Sequence, residues 1–283
     1  MKNKIIWVNT LVKNEERYLW YSVTSVIKHV DKILLWDTGS TDKTLEIIKL
    51  LQKENPEKID FKEAGDVDIN QFTMVRQEML DATKSDWIII LDGDEIWWDK
   101  SIAQLVDNIQ REGDKLETIV SPYYNIIGDI YHYQEEVAGG YVIDKKSGHI
   151  NIRALNRKIP GLHLEKPHGQ QGFYDNDGVL IQNRNRKFRK FLNYPYFHFT
   201  NMTRSSTKLN DSNVPKRGLK YKYELGIPFP QDFKYPEAFY LPRPEIVPSP
   251  WERMSNSYRI RAIAETALKK AKRRILPFKK VGY

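Results

Sequence analysis

Cysteine is absent from the 283 residues, which excludes disulfides, thiolate metal sites and cysteine nucleophiles. No apolar run approaches the roughly 20 residues that cross a bilayer. The first one, Ile5-Ile6-Trp7-Val8, is too short for the core of a signal peptide. These absences predict a cytoplasmic protein. On that reading Asn201-Met202-Thr203 and Asn210-Asp211-Ser212 are accidental matches to a glycosylation sequon. Glycine is missing from Thr10-Leu11-Val12-Lys13-Asn14-Glu15, which follows the first apolar run. That argues against a G-x-G-x-x-G dinucleotide loop and against the glycine-rich loop of a sugar nucleotidyltransferase.

What is present is a core and an excess of positive charge. Hydrophobic residues make up 40% and aromatics 12%, enough for a packed interior rather than a disordered chain. The formal net charge is +8, which suits a phosphate-bearing partner: nucleic acid, anionic lipid or a nucleotide. The charge is uneven. Lys269, Lys270, Lys272, Arg273, Arg274, Lys279 and Lys280 follow one another without an intervening acid, whereas the first hundred residues are near balance.

Over the first 120 residues short apolar runs alternate with helical periodicity, which predicts an α/β fold on a mainly parallel sheet flanked by helices. Strands are expected at Ile5–Val8, Lys32–Trp36, Ile59–Lys62 and Trp87–Leu91. Helices are expected over Glu15–His29, over the stripe Leu45, Ile48 and Leu51, over Gln71–Thr83 and over Ser101–Arg111. Ser40 or Thr41 is placed to cap the second helix. Beyond residue 118 the runs shorten (Thr118–Val120, Asn151–Leu155, Val179–Gln182, Tyr194–Phe199), predicting a smaller mixed β region. Proline-rich loops fill 228–250, and a basic amphipathic helix is expected over 252–275. The predicted divisions are 1–120, 121–225 of the same domain, and 226–283.

Ligands of a parallel α/β sheet gather at the carboxyl ends of its strands. Three polar clusters sit there: Thr10 to Glu16, Asp37 to Asp42, and Asp92 to Glu95. In an extended segment residues i and i+2 point the same way, so Asp92 and Asp94 can face one ion while Gly93 leaves room for a phosphate. Hard carboxylate oxygens suit Mg²⁺ or Mn²⁺, which bind substrate phosphates and offset charge on a departing diphosphate. An ordinary Asp-Gly turn after a strand remains the plain alternative.

Lys13-Asn14-Glu15-Glu16, then Trp36-Asp37-Thr38-Gly39-Ser40-Thr41-Asp42-Lys43-Thr44, then Trp87 to Glu95 resemble, in order and spacing, the family 2 glycosyltransferases of the GT-A fold. The resemblance covers roughly residues 4–110. It implies an enzyme that moves a sugar from a nucleotide-diphosphate donor, UDP-linked by preference, to an acceptor hydroxyl with Mn²⁺ or Mg²⁺. It implies that Thr10, Leu11 and Glu15 receive the base and ribose, that Asp37 contacts the base, and that Asp92 and Asp94 bind the metal. Val75-Arg76-Gln77 resembles the family's Ala-Arg-Asn, placing Arg76 near the phosphates; the Gln departs from that pattern. A guanidinium suits phosphate on physical grounds too.

An inverting transferase needs a carboxylate to deprotonate the acceptor. Glu165, in Gly161-Leu162-His163-Leu164-Glu165-Lys166-Pro167-His168-Gly169, is the expected base, since this stretch resembles the family's Gly-X-X-His-Glu region. Leu164 departs from it by separating the two. Among His163, His168 and His198, His198 is the expected third metal ligand. Arg204, Lys208 and Lys216 follow it as a basic loop able to clamp a diphosphate. The acceptor reads as a glycan, a lipid-linked molecule or a protein. The last helix sets Ile260, Ile263, Ala264, Ala267 and Ala271 opposite its basic residues, which suits peripheral contact with an anionic membrane as well as packing on the core. A nucleic-acid binder would leave Asp92, Asp94 and Glu95 unexplained, because an acidic cluster repels phosphate unless a cation intervenes. No nucleic-acid partner is expected.

Overall fold

A computed structural model describes residues 3–68, 71–167, 170–206, 214, 217–275 and 280–281. Its first half is built on four parallel strands: β1 (Ile6–Val12), β2 (Lys32–Asp37), β3 (Ile59–Glu63) and β4 (Trp87–Ile90), adjacent in the order β4-β1-β2-β3. Strand side chains alternate between the faces of a sheet, and here both faces are covered. Val8, Ile33, Leu35 and Ile89 pack with residues of α1 (Leu19–Val26), α2 (Thr44–Glu54) and α4 (Asp99–Glu112). Leu34 and Trp36 meet Val75 and Met79 of α3 (Gln71–Ala82) on the other face. The near-continuous apolar runs read in the sequence follow from this double burial.

Beyond β4 the sheet becomes antiparallel. β10 (Ile150–Asn156) lies against β4, β6 (Thr118–Ile127) against β10, and β7 (Asp129–Tyr133) against β6. Short β13 (Arg189–Phe191) and β14 (Tyr196–His198) run parallel to β6, and β14 also pairs with β5 (Glu95–Trp97). This register sets His198 opposite Glu95 on one side and Asn125 on the other. Two small ribbons stand beside the sheet, β8 (Tyr141–Ile143) with β9 (Lys146–Gly148), and β11 (His163–Glu165) with β12 (Gly172–Tyr174). One turn of helix, α5 (Arg217–Lys220), precedes the closing helix α6 (Asn256–Ile275).

Several elements depart from expectation for local reasons. β1 continues to Val12, so Thr10 and Leu11 belong to the strand and pair with Leu35 and Trp36. The Thr38 amide and hydroxyl both donate to the Val12 carbonyl at 2.9 Å, which holds the extended end in place. α1 starts at Leu19, because the amides of Tyr18 and Leu19 close a turn on the Glu15 carbonyl. Asp42, rather than Ser40 or Thr41, takes the amide of Thr44 at the start of α2 (2.9 Å), while the Ser40 hydroxyl is held by Asn14 and Asp37. Val179–Gln182 is not a strand: Leu180 makes a single bridge to Tyr174, and Ile181–Asn183 form a 3₁₀ turn.

α6 packs through Tyr258, Ala262 and Thr266, and Arg273 pairs with Glu224 and Glu135. The stripe Ile260, Ile263, Ala264, Ala267 and Ala271 faces outward. Among the described residues no helix is long and apolar enough to cross a membrane.

Candidate active site

The carboxyl ends of β1 and β4 and the polar face of β6 and β10 enclose a cleft of about 1230 Å³. Asp92 and Asp94 leave the end of β4 in a turn closed by the Glu95 amide on the Asp92 carbonyl (3.1 Å). A candidate ligand atom from each of Asp92, Asp94 and His198 falls within 4.8 Å of the others. The rationale for Gly93 differs from the expected one. A Cβ there would lie 2.9 Å from Glu15 Cγ and 3.0 Å from Val12 Cγ1, so the glycine makes room for the β1 loop.

Guanidinium groups surround these acids. Arg76 Nη2 is 3.3 Å from Asp92 Oδ1, and Arg153 Nη1, from β10, is 3.4 Å from Asp92 Oδ2. Arg153 also pairs with fully buried Glu95 and donates to the Tyr196 hydroxyl at 2.9 Å. Arg204 bridges Asp94 and Glu15, at 2.9 Å from each, and Arg217 reaches Glu15 at 2.6 Å. Arg217 also donates to the Asn14 and Lys13 carbonyls, fixing the turn in which Asn14 adopts a φ of 54°.

Burial would raise the Asp92 carboxyl, but Arg153 and Arg76 hold it well below the usual range. Burial likewise opposes ionisation of Asp94, and Arg204 and His198 reverse that. Glu95 goes the other way: burial, with Asp92 and Asp94 beside it, pushes it well up despite Arg153. Burial pushes His198 down to about 4 against the pull of Asp94, so its imidazole is neutral near pH 7. Asp94 Oδ1 and His198 Nδ1 are buried and accept no hydrogen bond, while Asp94 Oδ2 is ion-paired with Arg204. Two carboxylates held ionised and a neutral imidazole with unsatisfied lone pairs form a donor set that fits a divalent cation.

The other expected residues divide. Leu11, Glu15, Arg76 and Gly93 line the cleft. Thr10 is buried beneath it, its hydroxyl unpartnered. Asp37 is buried and its carboxylate is engaged in its own turn, accepting from the amides of Gly39 and Ser40 at 2.9 Å; the neighbouring Thr38 lines the cleft instead. Glu165 is not brought to the cleft. It sits on the β11–β12 ribbon with its side chain 49% exposed and pairs with His163 at 2.8 Å. His168, Lys208 and Lys216 fall outside the described residues. Sequence reasoning missed Arg153, Arg217 and Lys220; the signal for Arg153 was a charged residue inside an otherwise buried strand.

The sequence matches the profile of glycosyl transferase family 2 over residues 8–164. None of the curated proteins compared matches it. Among solved structures, residues 1–349 of Staphylococcus aureus TarS in complex with UDP-GlcNAc are 12% identical, with a TM-score of 0.46 over 69% of this chain and 58% of that one. The Mycobacterium tuberculosis glucosyl-3-phosphoglycerate synthase with Mn²⁺ and UDP-glucose is 17% identical, with a TM-score of 0.44 over 69% and 71%. The Pyrobaculum calidifontis mannosyltransferase PcManGT with GDP-mannose and Mn²⁺ is 15% identical, with a TM-score of 0.39 over 56% and 46%. This chain spans about 60% of the TarS fragment's length. The profile match alone covers more than half of the 283 residues, and the chain belongs to glycosyl transferase family 2, with an α/β fold of the GT-A kind.

Proposed function

We propose that the protein transfers a sugar from a nucleotide-diphosphate donor to an acceptor hydroxyl, with the donor diphosphate held at Asp92, Asp94 and His198. The observation that carries this is the set of unsatisfied, buried lone pairs of Asp94 and His198 beside Asp92. A bound Mn²⁺ or Mg²⁺ would offset the charge that develops on the leaving diphosphate. Arg76, Arg204, Arg217 and Lys220 line the same stretch of cleft and add fixed positive charge. On this reading Leu11, Glu15 and Thr38, which line the cleft, would receive the base and ribose, and the family resemblance favours uridine.

The test is thermal unfolding with UDP-, GDP-, CMP- and dTDP-sugars, with and without Mn²⁺. A ligand at 100 times its Kd adds about 2.7 kcal/mol. At roughly 2–4 °C per kcal/mol for a chain of this size, that is a rise of several degrees. Asp94→Asn, with Arg204 still paired to Glu15, should remain folded at a lower starting melting temperature and lose the metal-dependent part of the rise. A shift that ignores both metal and this substitution overturns the reading.

Inversion would require a base on the acceptor side. Glu136 lines the cleft there and accepts from the His149 amide at 2.9 Å, whereas Glu165 does not line it. Glu136→Gln is expected to abolish transfer while donor binding persists; Glu165→Gln is expected to leave both intact. The outward stripe of α6, with Ile260, Ile263, Leu268 and Ile275 each more than half exposed among basic residues, suits an anionic bilayer surface. Flotation with phosphatidylglycerol vesicles but not with phosphatidylcholine vesicles would support that contact, and equal behaviour with both would remove it.

A further inference from the structure

Helix α6 turns one face to the protein and another to solvent. Tyr258, Ala262 and Thr266 are its buried residues. The outward face carries Ile260, Ile263, Leu268 and Ile275, which are 71%, 57%, 73% and 75% exposed, with exposed alanines between them. A surface helix ordinarily packs its large apolar side chains against the core and shows its polar ones to water. Here the large ones form an exposed row, and such rows mark contact sites, whereas isolated exposed residues do not.

Both borders of this row are cationic. At about 3.6 residues per turn, Arg259, Lys270 and Arg274 fall along one border, and Arg261 and Lys272 along the other. Glu265 is the one acid between Asn256 and Ile275, and Arg261 and Lys269 already pair with it. An apolar stripe between basic borders complements an anionic bilayer surface, with acyl chains beneath it and phosphates on either side. Two copies of the helix laid face to face would instead bring their cationic borders together, which opposes self-association.

The same helix walls one end of the cleft, which Lys269, Lys272 and Arg273 line. Leu268, Lys272 and Ile275 recur at i, i+4 and i+7, so Lys272 stands where the apolar row meets the cleft. An interfacial helix sinks its apolar face about 5–10 Å into the boundary between head groups and acyl chains, and with side chains it is about 10–12 Å across. Its borders then lie at head-group depth, and the rim of the cleft at Lys272 lies there too. Lys269 is held by Glu265 at 2.7 Å, and Arg273 by Glu224 and Glu135. Lys222 and Lys272, lining the same end, make no salt bridge among the described residues and are placed for the acidic part of a lipid head group.

We propose that α6 holds the rim of the cleft at head-group depth on an anionic bilayer, and that the acceptor is the hydroxyl-bearing head group of a membrane lipid. The proposal rests on the transferase reading above and names its acceptor class. In the transfer, the head-group hydroxyl oxygen bonds to the anomeric carbon of the donor sugar. The bond from that carbon to the diphosphate oxygen breaks, its electron pair leaves with the nucleoside diphosphate, and the hydroxyl proton passes to Glu136, the base of that reading.

The test has two arms, both on the full chain. The absence of cysteine lets a single introduced one carry a fluorophore. Ile263→Cys, Lys272→Cys and Lys53→Cys, the last on α2 at the other end of the sheet, are labelled and mixed with phosphatidylglycerol vesicles. The vesicles hold a spin label either in the acyl chains or on the head groups. The acyl label should quench the fluorophore at position 263, the head-group label that at 272, and neither that at 53. In the second arm the protein meets Mn²⁺ and the radiolabelled nucleotide sugar that gives the largest metal-dependent rise in melting temperature. Acceptors are vesicles of the total lipid of the cell that makes the protein, set against the delipidated remainder of that cell. Radiolabel should enter the chloroform–methanol phase, and Ile263→Ser with Leu268→Ser should lower it at least about tenfold. Both positions are exposed, so this variant should keep the rise in melting temperature, which certifies its fold. Loss of that rise in the unaltered protein sinks the donor reading, whereas the depth measurement judges the present proposal by itself. The proposal is overturned if the fluorophore at 272 escapes the head-group label while that at 263 is quenched. It is also overturned if the serine variant dissolves a dimer instead of releasing the protein from vesicles, or if a protein that keeps the rise puts no radiolabel into lipid.

Discussion

Arg153 shows how much one side chain commits to at this site. Its guanidinium, 1% exposed, is shared between Glu95, Asp92 and the Tyr196 hydroxyl. Removing one member of a buried ion pair strands the other charge, typically at about 3–5 kcal/mol. Arg153→Met should therefore lower the urea midpoint strongly, and adding Asp92→Asn, which removes the carboxylate Arg153 holds ionised, should recover part of the loss. His149 gives a second expectation. Its folded pKa, near 4, is depressed from an ordinary value of about 6.5. Between those values the unfolded chain binds the extra proton, so stability is full above about pH 6.5 and falls as the pH drops towards 4. The whole effect is roughly 3 kcal/mol, and His149→Gln should flatten that part of a stability-against-pH curve. Asp92 and Asp94 stood out in the sequence through their spacing after the most apolar strand and the motifs around them, although an acidic turn at a strand end reads the same way. Arg153 did not, since its partner Asp92 is 61 residues away and only the β4–β10 register brings them together.

Among elements, α6 separates what periodicity tells from what it leaves open. The alternation of apolar and basic residues announced a helix, and the helix is there from Asn256 to Ile275. Which face packs was not readable from apolarity. The inward contacts are Tyr258, Ala262 and Thr266 rather than the isoleucines, and the anchor is electrostatic, with Arg273 Nη2 2.5 Å from buried Glu224. Glu224→Gln should loosen the helix and lower stability at pH 7 by about 3–5 kcal/mol in urea unfolding. Because the folded pKa of Glu224 is lowered, its contribution is present above the unfolded value of about 4.3 and disappears as the pH falls through the folded one. The variant should lack that acid-side loss. β1 makes the same point for strands: its apolar start was plain, while its continuation through Thr10, Leu11 and Val12 shows only in the pairing with an equally extended β2.

At the scale of the whole molecule, the parallel half supplies Asp92 and Asp94, and the antiparallel half supplies His198 and Arg153. Composition and motif order revealed the first contribution. The second depends on strand pairings made over long separations, which a linear pattern does not display. A chain ending at residue 195 retains the four parallel strands but loses β14, Arg204 and Arg217. It is expected to show exposed apolar surface by dye binding and no metal-dependent response to UDP. Arg217 meets Glu15 across 202 residues of chain, and that separation has a consequence in time. A ribosome adding about 5–20 residues per second takes on the order of ten seconds or more to travel between them. Throughout that interval the Glu15 carboxylate waits without this guanidinium, and the Glu15 end of the cleft is among the last parts of the protein to be completed, although the motifs around it are translated first.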